Sequence, residues 1–319
     1  MQMSREISFK YKPSLKFQDQ FVTATGEVRA TVEFRTFDTL WFNTGTLCNL
    51  TCSNCYIESS PLNDSLVYIS IDEVSNYLDE LDELQLDPPQ IAFTGGEPFM
   101  NPDFLKILDE CLSRDFRILI LTNAMKPMQH KKTGLKQLKD RYPGSELVLR
   151  VSIDHYDQSI HEAERGPKSW RPMIDGINWL RDNKFTIKIA GRSLAKETSE
   201  ECRMGYGRLF QELELKLNPD DPDDLVIFPE MDPLTDVPEI TEKCWNILSV
   251  SPDAQMCANS RMVIKRKGAA HPTVVSCTLL PYDPGFDLGR FLKHSVGKTH
   301  LNHPHCAQFC VLGGASCSS

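Results

Sequence analysis

Three cysteines lie close together near residue 50, in the sequence CNLTCSNC. Cys48, Cys52 and Cys55 have the spacing C-x3-C-x2-C, and three thiolates on one tight loop can hold three irons of a [4Fe–4S] cluster. The fourth iron would have no protein ligand, and an open coordination position can chelate a substrate. A zinc knuckle and a redox CxxC are the alternatives, although structural zinc needs a fourth ligand nearby and a thioredoxin-like motif needs only two cysteines.

Six further cysteines are concentrated at the C-terminal end of the chain, whereas Cys111 and Cys202 stand alone and are expected to be small buried hydrophobic residues. A hairpin with its turn at Gly268 would bring Cys257 and Cys277 together. Cys306 and Cys310 have the spacing that places two thiols on one face of a helical turn or tight loop. The most economical ligand set for a second cluster is therefore Cys257, Cys277, Cys306 and Cys310.

Two of the six C-terminal cysteines lie outside this ligand set. Cys317 is close enough in sequence to replace Cys306 or Cys310, and Cys244 is either a ligand or a core residue. The structural alternative is a zinc ribbon built from four of these cysteines. Mixed Cys/His zinc ligation also stays open, because four histidines precede Cys306: His294, His300, His303 and His305.

The composition is that of an ordinary globular protein. The chain has 319 residues, of which 40% are hydrophobic and 25% charged, with a net charge of -9. The excess of acidic residues gives no general footprint for nucleic-acid binding. Neither a membrane span nor an N-terminal signal core is present, so we expect a cytoplasmic protein without membrane association. In a reducing compartment, clustered cysteines indicate metal or redox chemistry.

A regular alternation of apolar runs and helical patterns begins near residue 39. Segment 70–84 predicts a helix capped by Ser70 and Glu73, and Asn101–Pro102 predicts the start of another. Six strand–helix units predict a parallel sheet, either open and doubly wound or a partial barrel. The strands are predicted at Leu40–Thr46, Gln90–Thr94, Phe116–Leu121, Leu147–Ile153, Phe185–Ala190 and Leu225–Phe228.

The unusual residues fall at the predicted strand ends, where parallel β/α folds gather their chemistry. The cysteine triplet follows the first strand and the run Thr94–Pro98 follows the second. Asn123 follows the third strand, and Ser152 and Asp154 end the fourth. Gly191–Arg192 follows the fifth strand, and Glu230 follows the sixth.

CNLTCSNC together with TGGEPFMNPDF resembles the radical S-adenosylmethionine (SAM) superfamily, over roughly residues 40–230. The resemblance implies a partial (β/α)6 TIM-type barrel, a SAM-chelating [4Fe–4S] cluster and cleavage of SAM to a 5′-deoxyadenosyl radical. The chain departs from the family in one place. Asn54 stands before the third cysteine, where an aromatic residue or histidine is usual, and Tyr56 follows that cysteine as the candidate adenine contact.

Further roles follow from what SAM requires. Gly95 and Gly96 let the backbone approach a ligand closely, and Glu97 can accept hydrogen bonds from the methionine ammonium. Strand alternation turns Ser152 and Asp154 toward the interior and the ribose, although Asp154 could instead be a helix N-cap. Asn123 joins them at the rim. Arg165 resembles the arginine that some family members place on the methionine carboxylate, and an exposed loop arginine is its alternative.

Lys188 is a candidate catalytic residue on the fifth strand. In TIKIAGR, burial of Ile187 and Ile189 under helices would point Lys188 into the barrel. Its ammonium would need an acceptor there, and SAM carboxylate, a substrate acid or Glu230 could serve. A lysine that extends from a strand edge to solvent is the alternative.

The C-terminal cysteines resemble the SPASM and twitch extensions of radical SAM enzymes, although CAQFCVLGGASC has each spacing one residue longer than the usual CxxCx5C. The expected organisation is an N-terminal extension (1–38), a radical SAM partial barrel (39–235) and a small cysteine-rich α+β domain (236–319). An auxiliary [4Fe–4S] cluster in that domain would accept an electron or bind substrate.

The expected function is hydrogen-atom abstraction from a substrate, with flavodoxin or ferredoxin as electron donor. The short segment before the barrel favours a small molecule or a peptide delivered without a fused leader-binding domain. Two alternatives stay open: a peptide- or protein-modifying maturase of the SPASM type, and a non-catalytic Fe–S or zinc protein on the same scaffold.

Overall fold

The computed structural model describes residues 16–84, 89–193, 197–231 and 235–314, and its centre is one large sheet. The strands of the described residues are β1 (Thr31–Val32), β2 (Thr39–Asn43), β3 (Gln90–Thr94), β4 (Ile118–Thr122), β5 (Leu147–Ser152), β6 (Thr186–Ser193), β7 (Leu225–Pro229), β8 (Ser260–Ile264), β9 (Thr273–Val275), β10 (Asp287–Gly289) and β11 (Thr299–His300). Nine of them form a single sheet in the order β10-β9-β8-β2-β3-β4-β5-β6-β7.

Strands β2 to β7 are the six strands predicted from the apolar runs. Each pairs in parallel with the next in chain order, as the alternation with helices requires. Their residues are largely buried because helices cover one face while loops and the C-terminal part cover the other. The predicted α/β class and partial-barrel arrangement are confirmed.

The described helices are α1 (Ile71–Glu83), α2 (Phe104–Ser113), α3 (Lys126–His130), α4 (Lys132–Arg141), α5 (Gln158–Arg165), α6 (Trp170–Asp182), α7 (Ser199–Glu212), α8 (Cys244–Leu248) and α9 (Met256–Asn259). A π-helical turn covers Cys306–Val311. The capping box predicted for α1 is present, because the Ser70 side chain accepts from Glu73 N and the Glu73 carboxylate accepts from Ser70 N.

The predicted cap at Asn101–Pro102 is present: Asn101 Oδ1 accepts from Asp103 N at 2.9 Å, and Asn101 O accepts from Phe104 N at 3.2 Å. The regular helix begins at Phe104, two residues later than predicted. Asn101 is fully buried and also donates from Nδ2 to the carbonyls of Thr44 and Ile69, at 3.3 and 2.8 Å. Its amide therefore ties the loop after β3 to the segment after β2, which no local pattern reveals.

The C-terminal part extends the same sheet. Strand β8 pairs in parallel with β2, and β9 and β10 follow as antiparallel neighbours. Strand β1, near the start of the described chain, pairs with β11 from its far end. Within the described ranges, no helix is both long and apolar enough to cross a membrane.

Candidate functional site

The three cysteines of CNLTCSNC line one cavity at the carboxyl ends of the parallel strands. The cavity encloses about 1020 Å³, including its open mouth. Cys48, Cys52 and Cys55 share its wall with groups from the ends of β3 to β6. Those groups are Thr94, Gly95, Gly96, Thr122, Asn123, Ser152, Asp154, Ala190 and Arg192. The structure therefore brings together most of the residues that the strand-end pattern selected.

Backbone hydrogen bonds fix the cysteine loop. Leu50 N donates to the Cys48 sulfur at 3.4 Å and Ser59 N donates to the Cys55 sulfur at 3.3 Å. Burial, and next the charge of Glu97, raise the pKa of Cys48 to about 12. The thiol is therefore protonated at neutral pH unless a bound metal holds the thiolate, as metal coordination does.

Gly95 and Gly96 allow the loop after β3 to pack against the segment that leads into the cysteine loop. Gly96 N donates to Gly45 O at 2.8 Å. A Cβ on Gly96 would lie 2.1 Å from Leu47 O, and one on Gly95 would lie 2.5 Å from Gly45 O. Gly95 also has φ of 138°, a conformation that side chains rarely adopt. The close approach that these glycines permit is therefore to protein backbone, in addition to the cavity that both line.

The Glu97 carboxylate has protein partners. It is 1% exposed, and it accepts from Thr122 Oγ1 and Asn123 N, both at 2.9 Å, and from Phe99 N at 3.3 Å. Burial raises the pKa of Glu97 to about 7, against the lowering effect of these bonds. Glu97 is absent from the cavity lining, so it connects the loop after β3 to the end of β4 beneath the cavity.

Asp154 forms a buried ion-pair network with two arginines. Its carboxylate oxygens lie 2.9 Å from Arg165 Nη2 and Nε and 3.4 Å from Arg192 Nε. Burial alone would raise the pKa of Asp154, but Arg165 and Arg192 hold it below its usual value. Asp157, and not Asp154, caps α5. Arg165 is the last residue of α5 and its side chain is 12% exposed, so it is not a solvent-exposed loop residue.

Arg192 carries an unsatisfied donor. It donates from Nη2 to Asn54 O at 2.7 Å and lies over the Tyr56 ring, 4.6 Å from the centroid. Its Nη1 is buried and has no hydrogen-bond partner among the described residues. Because Arg192 lines the cavity, an acceptor oxygen of a bound molecule could satisfy this donor.

Asn54 and Tyr56, on either side of Cys55, lie in different surroundings. Asn54 donates from Nδ2 to Glu164 Oε2 at 2.9 Å, and it does not line the cavity. Tyr56 lines the cavity, and its hydroxyl donates to Pro229 O at 3.0 Å. Its ring packs edge-on against Phe228 and Phe309. The aromatic ring of this loop is therefore provided one residue after the third cysteine.

Two of the predicted residues Ser152, Asn123 and Lys188 reach the cavity and one does not. Ser152 and Asn123 line the cavity. Lys188 lies on the same face of β6 as Ala190 and Arg192, but two residues before the cavity begins. Its ammonium forms an ion pair with Asp223, and not with Glu230, which is exposed. Of the three acceptors considered for Lys188, Glu230 is wrong, whereas the SAM carboxylate and a substrate acid stay predictions.

Several lining residues were not predicted from the sequence. Trp41 and Leu121 come from the inner faces of β2 and β4, and Phe228 comes from β7. Alternation along these strands could have identified them. Thr278 and Leu279 come from the C-terminal part, and local sequence carries no signal for that contact.

A second cavity holds the four cysteines proposed as a ligand set. Cys257 on α9, Cys277 after β9, and Cys306 and Cys310 on the π-helical turn all line it. The predicted hairpin is present, because β8 and β9 are antiparallel neighbours. Burial raises the pKa of Cys257 to about 12 and that of Cys277 to about 11.

The other cysteines lie elsewhere. Cys244 begins α8, where its sulfur accepts from Thr241 N at 3.4 Å, and it does not line the second cavity. Cys111 and Cys202 are buried, at 0% and 1% exposure. Cys317 lies outside the described residues. His305 also lines the second cavity, and burial lowers its pKa.

Among the described residues, no three Cys, His, Asp or Glu side chains converge as ligands of a single metal ion. A four-iron cluster does not require such convergence, because each iron takes its own thiolate.

A family model described as the radical SAM superfamily matches residues 42–201. This range includes the cysteine loop, the Gly95–Gly96 loop and the Asp154–Arg165 pair. The chain belongs to the radical SAM superfamily.

The chain is similar to two curated proteins over less than half of its length. It is 29% identical over 144 residues to the antilisterial bacteriocin subtilosin biosynthesis protein AlbA of Bacillus subtilis, covering 45% of this chain and 30% of AlbA. It is 26% identical over 148 residues to the AdoMet-dependent heme synthase of Nitratidesulfovibrio vulgaris, covering 44% of this chain and 36% of the synthase. The chain therefore spans only about a third of these relatives.

The fold extends further than the sequence similarity. The structure of SuiB from Streptococcus suis, bound to its precursor peptide SuiA, aligns with 88% of this chain and 67% of SuiB. The TM-score is 0.57 at 11% identity, a likeness in fold alone.

Proposed function

We propose that this protein is a radical SAM enzyme that cleaves SAM reductively and removes a hydrogen atom from a substrate, with an auxiliary cluster taking part. The observation that carries the proposal is the shared cavity. Three thiols of a C-x3-C-x2-C loop, two glycines and a buried Asp–Arg network line it together.

The residues present fit a SAM-chelating [4Fe–4S] cluster. Cys48, Cys52 and Cys55 would hold three irons, and the unsatisfied Nη1 of Arg192 supplies a donor for an oxygen of the bound SAM. When bound, the cluster and SAM supply the electron and the 5′-deoxyadenosyl radical that together make hydrogen-atom abstraction possible.

The chain's own residues position the reactants. We assign Asp154, with Arg165 and Arg192 around it, to orient the polar groups of SAM, where Arg165 would face the methionine carboxylate. Ser152 and Asn123 offer further hydrogen bonds at the rim, and the Tyr56 ring offers a surface for the adenine. Glu97 supports the Gly95–Gly96 loop from below, and a contact with the methionine ammonium remains a prediction for it.

Lys188 keeps its place as a candidate in this proposal, in a changed role. Its ion pair with Asp223 and its position before the cavity fit a residue that supports the sheet from within. A direct role in catalysis would require release from Asp223.

The auxiliary cluster is proposed for the second cavity, with Cys257, Cys277, Cys306 and Cys310 as ligands. Thr278 and Leu279 line both cavities, so a wall only two residues wide separates the two cysteine sets at that point. A cluster in the second cavity would lie beside the substrate. That position suits electron transfer from the substrate or direct substrate binding. Cys317 remains a reserve ligand of this proposal.

We propose a peptide as the substrate class. The support comes from the relatives: AlbA is named for bacteriocin biosynthesis, and SuiB was solved with a precursor peptide. The heme synthase is named for a non-peptide product, so a small molecule is the second candidate. An electron donor such as flavodoxin or ferredoxin completes the proposed system.

The test is anaerobic incubation of the reconstituted protein with SAM and dithionite. We expect 5′-deoxyadenosine from the native protein and none from the variant Cys48→Ala/Cys52→Ala/Cys55→Ala. The variant should retain the iron of the second cavity, which shows that it is folded. Equal product from both proteins would refute the assignment of the cluster to these cysteines.

A further inference from the structure

A surface hollow, separate from both cysteine-lined cavities, adjoins the cysteine loop at Asn49 and Leu50, the two residues that follow Cys48. It shares no lining residue with the cavity that contains Cys48, Cys52 and Cys55. Its rim carries Lys126, His130, Lys131 and Lys168, and Met100 and Met125 form part of its apolar floor. We refer to this surface as the cationic hollow.

Within the described ranges, the lysines of the cationic hollow form no ion pairs of their own. Lys126 and Lys168 are exposed and Lys131 is half-buried, and within the described part of the chain none of the three lies within 4.0 Å of a carboxylate oxygen. Asp103, the carboxylate that acts on Lys131, is itself bonded to Lys106 at 2.9 Å. On a chain with a net charge of -9, this surface is locally positive. Such a patch attracts an acidic partner and speeds its association.

The floor of the hollow is connected to the Cys48 sulfur by short contacts. Leu50 N donates to that sulfur at 3.4 Å. Asn49 lies 3.9 Å from Met125, measured from Nδ2 to Sδ. Asn123 Nδ2 donates to Asn49 Oδ1 at 3.0 Å and lies 4.0 Å from the Cys48 sulfur. A partner seated in the hollow would therefore be one residue away from a thiolate of the proposed cluster.

We propose that the cationic hollow is the docking site of an acidic one-electron carrier protein of the flavodoxin or ferredoxin class. The inference rests on the proposed function, because only a cluster at Cys48 gives the docked carrier an electron acceptor. The carrier loses one electron, the cluster gains one, and no bond or proton is exchanged. Since the hollow and the cavity share no residue, SAM and substrate can stay bound while the carrier docks.

The experiment compares Lys126→Glu/Lys168→Glu with a matched control, Lys216→Glu/Lys293→Glu. All four lysines are exposed and lie outside the cysteine cavity, and both variants change the net charge equally. Binding of flavodoxin to each reconstituted protein is measured by calorimetry at low and high salt. Release of 5′-deoxyadenosine is then measured with reduced flavodoxin and, separately, with dithionite.

For the hollow variant we expect flavodoxin affinity at low salt to fall at least about tenfold, as loss of charge complementarity predicts. Added salt should shrink the difference, because exposed charges are screened. Its flavodoxin-driven rate should fall while its dithionite-driven rate matches that of the control. Unchanged flavodoxin binding would overturn the proposal, and so would equal loss in the control or an equal fall in both rates. The same calorimetry is repeated with an acidic peptide. If the hollow variant loses affinity for that peptide but not for flavodoxin, the proposal is overturned in favour of peptide docking.

The proposed function is judged separately. If the native protein releases no 5′-deoxyadenosine with dithionite, the proposed function fails. The calorimetric comparison still decides whether the carrier binds in the hollow.

Discussion

Asp154 provides the sharpest test of how the cavity is held together. Asp154→Asn keeps the size of the side chain but removes the charge that faces Arg165 and Arg192. The side chains of the three residues are only 5%, 12% and 9% exposed. Breaking a buried ion pair by removing one partner costs about 3–5 kcal/mol, because the remaining charge stays buried without compensation. That is a large part of the ~5–15 kcal/mol by which domains are stable.

The assay is urea unfolding of the apoprotein, followed by circular dichroism. The control is Asp175→Asn, which removes an exposed i,i+4 pair with Arg171, whose side chains are 46% and 80% exposed. We expect the control to lose less than about 1 kcal/mol, as surface pairs do. A loss for Asp154→Asn no larger than that of the control would refute the buried network.

The pH dependence gives a second signature. Because the pKa of Asp154 is lowered in the folded state, its ionised form stabilises the fold at every pH above the unfolded value of about 3.9. The difference between native protein and Asp154→Asn should therefore be constant from neutral pH to about pH 5. It should shrink progressively below about pH 5 and be lost as the pH falls through the lowered folded-state pKa. A difference that disappears already near pH 6 would contradict this sign.

Three further changes have defined outcomes. Gly96→Ala should reduce iron binding by about half, because the new Cβ would meet Leu47 O at 2.1 Å and displace the cysteine loop; full iron content would show that the loop adapts. Cys257→Ala/Cys277→Ala should lower the iron from about eight to about four per chain, whereas unchanged iron would remove these ligands from the proposal. Glu97→Gln should lower the free energy of unfolding by about 1–3 kcal/mol, since its amide group cannot accept at both oxygens; unchanged stability would mean that these bonds carry no weight.

The sheet could be predicted because its strands are short apolar runs separated by long helical patterns. Parallel pairing then follows from the handedness and length of the connections. The same reasoning placed Ser152 and Asp154 on the inner face of β5, with Val151 and Ile153 in the outer core. Alternation is strict in a strand, so one buried residue determines the direction of its neighbours.

Contacts between distant segments could not be predicted. The Asp223 partner of Lys188 comes from the turn before β7, and the Asn101 amide donates to two carbonyls of the segment between β2 and α1. The Glu97 carboxylate accepts from N–H groups of its own and a neighbouring loop, which the sequence did not indicate, and its contact with SAM stays a prediction. In each case a polar group that is buried or half-buried bonds to a partner that only the assembled chain defines.

In the C-terminal part, the cysteine set could be predicted from the sequence and the strand pairing could not. Cysteine spacing and the hairpin signal selected Cys257, Cys277, Cys306 and Cys310, and these four line one cavity. The parallel addition of β8 to β2 carries no local signal, because it depends on how the two surfaces fit.

The central claim is that Cys48, Cys52 and Cys55 hold a cluster whose open iron binds SAM. The most direct measurement is the electron paramagnetic resonance spectrum of the reduced, reconstituted Cys257→Ala/Cys277→Ala variant, recorded with and without SAM. Removal of the second cluster leaves the signal of the first alone. The proposed open iron predicts a spectrum that shifts on addition of SAM, with about four irons per chain. A four-iron signal that is identical with and without saturating SAM would contradict the claim.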